Sequence, residues 1–175
     1  FMNLFIIEAP NKEESVNKYL GKDFKVFATV GHVRDLPTKS LAVQINNNFE
    51  PIYEIMPDKQ KVVNQLINLA KKADNIYIAT DPDREGEAIA FHIAHILNLD
   101  PNKKVRVAFN SIDKDTINKA LQEPRIIDQD LVNAQQARRV LDRLVGYKIS
   151  PILCKKIKPN LSAGRVQSAA LKLIV

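Results

Sequence analysis

The chain has 175 residues, 45% hydrophobic, 26% charged and 6% aromatic, which is enough for one sizeable core and part of a second domain. Its single cysteine, Cys154, excludes a disulfide framework and a cysteine-rich zinc site, and no apolar run approaches the ~20 residues of a membrane helix. The net charge of +6 sits almost entirely in the last quarter, where nine Lys and Arg stand against two Asp from Asp130 onward. A polyanionic partner is expected there. A merely solvated basic surface is the alternative, and the single aromatic of that segment, Tyr147, speaks against a platform for stacking bases.

In chain order, Leu4 to Ile7 is a short apolar run ending at Glu8 and reads as a buried strand. Pro10 opens a helix that runs through Leu20 and is stopped by Gly21. Phe24 to Val33 alternates and is rich in Val, Phe and Thr, as a second strand would be. Leu36 to Pro57 carries three prolines and the run Asn46-Asn47-Asn48, and is expected to be irregular. Asp58 is placed to cap a helix with Val62, Val63, Leu66, Ile67 and Ala70 on one face. Ile76 to Ala79 is a third strand, Glu87 to Leu97 a helix and Val105 to Phe109 a fourth strand. Ser111 or Asp113 then caps a helix through Leu121. Strands alternating with helices predict an α/β fold with a parallel sheet covered on both faces.

After Pro124 the period is helical throughout. The predicted organisation is an α/β domain over residues 2–128 and the beginning of an all-helical domain over 129–175. The final residues, Leu171 to Val175, run on without a cap, as expected for a piece of a longer protein.

The most informative stretch is Asp81-Pro82-Asp83-Arg84-Glu85-Gly86-Glu87, after a strand and before a helix. In an open parallel sheet, ligands bind beyond the carboxyl ends of the strands, where this loop and Glu8 both fall. Asp81, Asp83, Glu85 and Glu8 would repel one another unless a cation or a proton intervenes. A hard divalent ion such as Mg²⁺, which keeps waters and shares substrate phosphates, suits them, with Arg84 available to a phosphate. A calcium loop fits poorly, because its twelfth position is His92 and a strand precedes it. An acidic helix N-terminus would explain two of the acids but not four. No Walker A or Gly-x-Gly pattern occurs, which argues against a nucleotide-cradling loop.

Several ordered motifs carry a family resemblance. Glu8-Ala9-Pro10-Asn11-Lys12, Val30 to Pro37 (VGHVRDLP) and Asp81-x-Asp83-x-Glu85-Gly86-Glu87-Ala88-Ile89-Ala90 resemble the Toprim domain of type IA DNA topoisomerases. Gln136 to Tyr147 and Leu161 to Ser168 extend the likeness over nearly the whole chain, the latter in wording nearest the bacterial topoisomerase I branch. The resemblance implies a Toprim, Rossmann-like sheet followed by a helical DNA-binding domain. It also makes Leu36 to Pro57 a variable insertion.

The implied activity is Mg²⁺-dependent breakage and rejoining of one DNA strand through a 5′-phosphotyrosine, relaxing negatively supercoiled DNA. In that family Asp81, Asp83 and Glu85 would hold Mg²⁺, with Glu8 as a further residue of the metal site. Glu8 would also manage the proton on the leaving and returning 3′-oxygen, and Lys12 and Arg84 would offset phosphoryl charge. His32 falls in a matching motif for DNA contact, and equally suits a histidine packed at a strand end.

Ala137, Val140, Leu141, Leu144 and Val145 form one helix face, and Arg138, Arg139, Asp142 and Arg143 the other. Surface ion pairing would explain the polar face. The resemblance instead puts Arg139, Asp142 and Tyr147 in a strand-binding groove, with Arg138 beside them. Ser162-Ala163-Gly164 would start a helix open to a phosphate, with Arg165 and Gln167 adding contacts, unless Ser162 is a plain cap.

None of Tyr19, Tyr53, Tyr77 and Tyr147 is followed two residues later by Arg, as the family's nucleophile is, so the nucleophile is expected outside this chain and the chain alone is expected to be inactive. A cytoplasmic, nucleoid-associated, monomeric enzyme acting on a single-stranded segment of DNA, with no membrane partner, follows from the resemblance. The competing readings are another Toprim phosphoryl-transfer protein, a primase or nuclease, and a non-enzymatic DNA-binding module.

Overall fold

The structure is a computed structural model describing residues 1–175. The chain divides into two compact units, Phe1–Asp35 with Ile55–Asn133, and Leu36–Glu54 with Ala134–Val175. Its elements are β1 (Asn3–Ile7), α1 (Glu13–Leu20), β2 (Phe24–Ala28), β3 (Arg34–Asp35), β4 (Val43–Gln44), β5 (Glu50–Pro51), β6 (Glu54–Ile55), α2 (Gln60–Ala70), β7 (Asn75–Ile78), α3 (Arg84–Ile96), α4 (Lys114–Gln122), α5 (Gln129–Lys156) and α6 (Arg165–Ile174). None of the helices is long and apolar enough to cross a membrane.

The first unit is built on a three-stranded parallel sheet ordered β2-β1-β7. All five residues of β1 are buried, because the central strand is covered on both sides. Leu4 and Ile6 point to one face, packed with Ile78, Val63 and Leu66 of α2, and Ile89 and Ile93 of α3. Phe5 and Ile7 point to the other, packed with Val16 of α1, Ile117 of α4 and Val107. The predicted α/β sheet with helices on both faces is present.

Several expected boundaries shift. β2 ends at Ala28 rather than Val33, because Val30 and Gly31 take φ of 58° and 86°, outside the extended region. The segment expected as a fourth strand joins only through single bridges, Arg106 to Ile78 and to Arg125. Asp58 lies inside a 3₁₀ turn, Pro57–Lys59, and caps nothing. Asp113 does cap α4, accepting from the Thr116 amide at 2.9 Å.

In the second unit, Val43 and Gln44 pair antiparallel with Pro51 and Glu50, so the irregular excursion contains a small hairpin. Leu36, Val43 and Val140 are its buried apolar residues, with Tyr53 and Leu144 against them. The apolar stripe of α5 is narrower than its sequence suggests, since Ala137 and Leu141 are exposed. Helix α6 starts at Arg165, with Gly164 as its first flanking residue and no side-chain cap. The expected start at Ser162 is therefore three residues early.

Candidate active site

The order in which the strands are added reverses at β1, and in open parallel sheets ligands bind beyond the carboxyl ends of the strands at such a point, here β1 and β7. Glu8 leaves β1 there, and its carbonyl accepts the amides of Val30 at 2.9 Å and Gly31 at 3.4 Å. The loop after β7 and the first turn of α3 bring Asp81, Asp83 and Glu85 to the same edge. Asp83 is the N-cap of α3, its Oδ1 accepting from the Gly86 amide at 2.7 Å. Part of the acidic cluster thus does serve the helix start, while Asp81 to Arg84 remain exposed.

Gly86 is required by packing. A Cβ there would lie 1.9 Å from the Asp81 carbonyl oxygen, so only glycine lets the loop fold back onto the first turn of α3. Thr80 fastens the same turn, donating its hydroxyl to the Gly86 carbonyl at 2.6 Å.

The charges are interleaved. Lys12 Nζ lies 3.1 Å from Asp81 Oδ1, and His32 Nε2 lies 3.5 Å from Glu85 Oε2. Partial burial raises the Glu8 carboxyl above its ordinary value, and the negative charges of Asp81 and Asp83 push the same way, against His32 and Lys12. A carboxyl that holds its proton more firmly than usual suits proton transfer.

No three His, Cys, Asp or Glu side chains are grouped to cage an ion. Mg²⁺ takes only one or two carboxylates, with waters and substrate phosphates, and Asp81 and Asp83 are exposed carboxylates of the kind it would use.

Behind the exposed acids lies a network that sequence reasoning missed. Glu87, fully buried, accepts from Arg106 Nε at 2.9 Å, from Arg125 Nη1 and Nη2 at 2.8 and 2.9 Å, and from the Asp128 amide at 2.6 Å. Burial alone would raise its carboxyl, but the bonds from Arg125, Asp128 and Arg106 outweigh it and hold the group down at about 2. The sequence signal was Arg106 itself, a charge in the middle of the apolar Val105-Arg106-Val107.

A second network fixes the segment after His32. Arg34, buried, meets His92 Nδ1 through Nε at 3.1 Å and Nη2 at 3.0 Å, and His95 Nδ1 through Nη1 at 2.9 Å. His92 Nδ1 must be a bare acceptor, so its proton sits on Nε2. Burial, then Arg34, lower its pKa to about 3. Between pH 6.5 and about 3 the unfolded chain takes up a proton that the folded chain refuses. Stability is therefore complete above pH 6.5 and falls as the solution is acidified, by up to about 1.4 kcal/mol per pH unit. Urea unfolding at stepped pH should show this slope, and His92→Phe should flatten it. An unchanged slope would mean that other groups govern the acid limb.

In the second unit, Arg165 Nε pairs with Asp142 Oδ1 at 2.8 Å. That bond lowers the Asp142 carboxyl and raises the Arg165 guanidinium. Arg138, Tyr147, Ser162 and Gln167 are exposed, and Arg139 is half-buried. Arg143, on the same polar face by sequence, instead clips the excursion. It donates to the carbonyls of Pro37, Ser40 and Leu36. Ser162 leaves the capping role open, and Ser150 Oγ receives the Ala163 amide at 3.0 Å.

A family profile described as Toprim domain matches residues 3–112, and one described as DNA topoisomerase matches residues 126–175. Full-length topoisomerase I from Thermotoga maritima, solved in a monoclinic crystal form, is 47% identical with a TM-score of 0.91. The likeness covers 98% of this chain and 29% of that one.

Proposed function

Because the chain belongs to the Toprim family, as the Toprim-bearing part of a type IA DNA topoisomerase, we propose that it supplies the acidic site at which one DNA strand is broken and rejoined. The observation that carries this reading is the meeting of Glu8, with its raised pKa, and the Asp81 and Asp83 carboxylates beyond neighbouring strands. The scissile phosphate would lie at this edge. Mg²⁺, when bound by Asp81 and Asp83 with Glu85 and Glu8 close by, would supply charge neutralisation at the phosphate. Glu8 holds the proton that the leaving 3′-oxygen requires and recovers it on resealing. Lys12 and Arg84 bring positive charge to the phosphoryl oxygens. Lys12 must then exchange Asp81 for phosphate.

The attacking tyrosine comes from outside these residues, through a 5′-phosphotyrosine, and the reaction relaxes negatively supercoiled DNA. The domain proper is residues 2–128, and 129–175 begins a helical DNA-binding domain. His32, Arg138, Arg139, Asp142, Tyr147, Ser162, Arg165 and Gln167 contact a single-stranded segment. The whole protein is monomeric, cytoplasmic and nucleoid-associated. The topoisomerase match over residues 126–175 supports this reading over a primase or nuclease of the same fold.

Fluorescence anisotropy with a short single-stranded oligonucleotide tests the DNA contact. Each phosphate neutralised contributes about −0.7 to the slope of log K against log salt. Arg139→Ala should weaken binding and flatten that slope by nearly one contact, whereas Lys172→Ala, with the same charge change, should do less. Equal effects in both variants would mean that net charge alone accounts for the affinity.

A further inference from the structure

The Arg106 side chain is wholly buried, and each of its three nitrogens is engaged. Nε goes to Glu87. Nη1 reaches the carbonyls of Ile78 at 3.2 Å, Thr80 at 2.7 Å and Val107 at 3.0 Å, and Nη2 reaches the Asp81 carbonyl at 2.8 Å. Three of these four carbonyls belong to the end of β7 and the loop that follows it.

Burying a guanidinium is costly, and an apolar side chain would fill the same space with less desolvation. An apolar side chain could not hold a carbonyl. The Asp81 peptide is gripped from two sides, by Arg106 Nη2 and by the first turn of α3, where Gly86 leaves no room for a Cβ. Displacement of the Asp81 backbone from these two holds would carry its carboxylate away from the edge it shares with Glu8.

We propose that Arg106 is a positioning residue for Asp81: it fixes the strand-end carbonyls so that the Asp81 carboxylate is held where the acidic edge receives a divalent cation. The proposal rests on the cation reading above. Arg125 is the internal control. It binds the same Glu87 and its own neighbour's carbonyl at Ile126, but no carbonyl of the acidic loop.

The test uses Mn²⁺ as probe, followed by water-proton relaxation in the full chain. Arg106→Lys keeps the charge but loses the planar fork, and one ammonium cannot serve carbonyls spread along the loop. It should bind Mn²⁺ about tenfold more weakly, as losing an outer partner of a ligand does. Arg125→Met should lower stability yet leave the Mn²⁺ affinity within about twofold of the unaltered chain. Gly86→Ala, which displaces the Asp81 peptide from its other side, should repeat the Arg106→Lys loss and carries the test if that variant does not fold.

A second readout needs no metal. Hydrogen exchange of the Gly86 amide, bonded to Asp83, should accelerate in Arg106→Lys and stay unchanged in Arg125→Met. Folded Arg106→Lys and Gly86→Ala chains that bind Mn²⁺ like the unaltered protein would overturn the proposal. If the unaltered chain binds no Mn²⁺ at the acidic edge, the cation reading fails and the exchange rates decide the positioning role by themselves.

Discussion

Glu87→Ala is expected to lower the stability of the chain by about 3–5 kcal/mol, the range for removing one partner of a buried ion pair. The loss comes from what the substitution leaves behind. Arg106 would keep its charge in a fully buried position, with the only carboxylate in contact with it gone. The Asp128 amide would lose its acceptor as well. Arg125→Met should cost less, because the Arg125 side chain is 41% exposed and water can replace part of what is lost. Urea midpoints for the two variants give the ranking directly. A Glu87→Ala chain no weaker than Arg125→Met would mean that the network relaxes to hydrate Arg106.

The other large effect concerns cation binding. A chain with Asp81→Asn and Asp83→Ser together should lose its Mn²⁺ site. Serine is chosen at position 83 because it can cap α3 as aspartate does, so helix integrity is kept while the charge goes. Lys12→Ala should act in the opposite sense. It frees the Asp81 oxygen now paired at 3.1 Å and removes a nearby positive charge, both half-exposed, so binding should tighten by roughly two- to fivefold. Mn²⁺ relaxation titrations read both changes. Undiminished binding in the double variant would place the ion elsewhere.

What the sequence made legible was local. The strand-loop-helix order around Asp81, and Glu8 at the end of an apolar run, are enough to put the acids at one sheet edge. The Glu87 network was not legible, because its partners lie 19 and 38 residues away and an acid in the first turn of a helix looks like a surface residue. Arg143 carries the same lesson. On the helix it is indistinguishable from Arg138, and only the folded excursion reveals that its guanidinium serves loop carbonyls. The Phe24 segment ended early for a backbone reason that a period-two pattern cannot carry, the left-handed Val30.

The strand order has a consequence for synthesis. Of the three strands of the sheet, the central strand β1 is synthesised first, and β2 soon covers one of its edges. Its other neighbour, β7, follows 72 residues after it in register, from Asn3 to Asn75. At ~5–20 residues per second that interval is roughly 4–14 s, during which a wholly apolar Leu4-Phe5-Ile6-Ile7 segment has one bare edge. The nascent chain is therefore most prone to wrong pairing before the acidic loop has even been made.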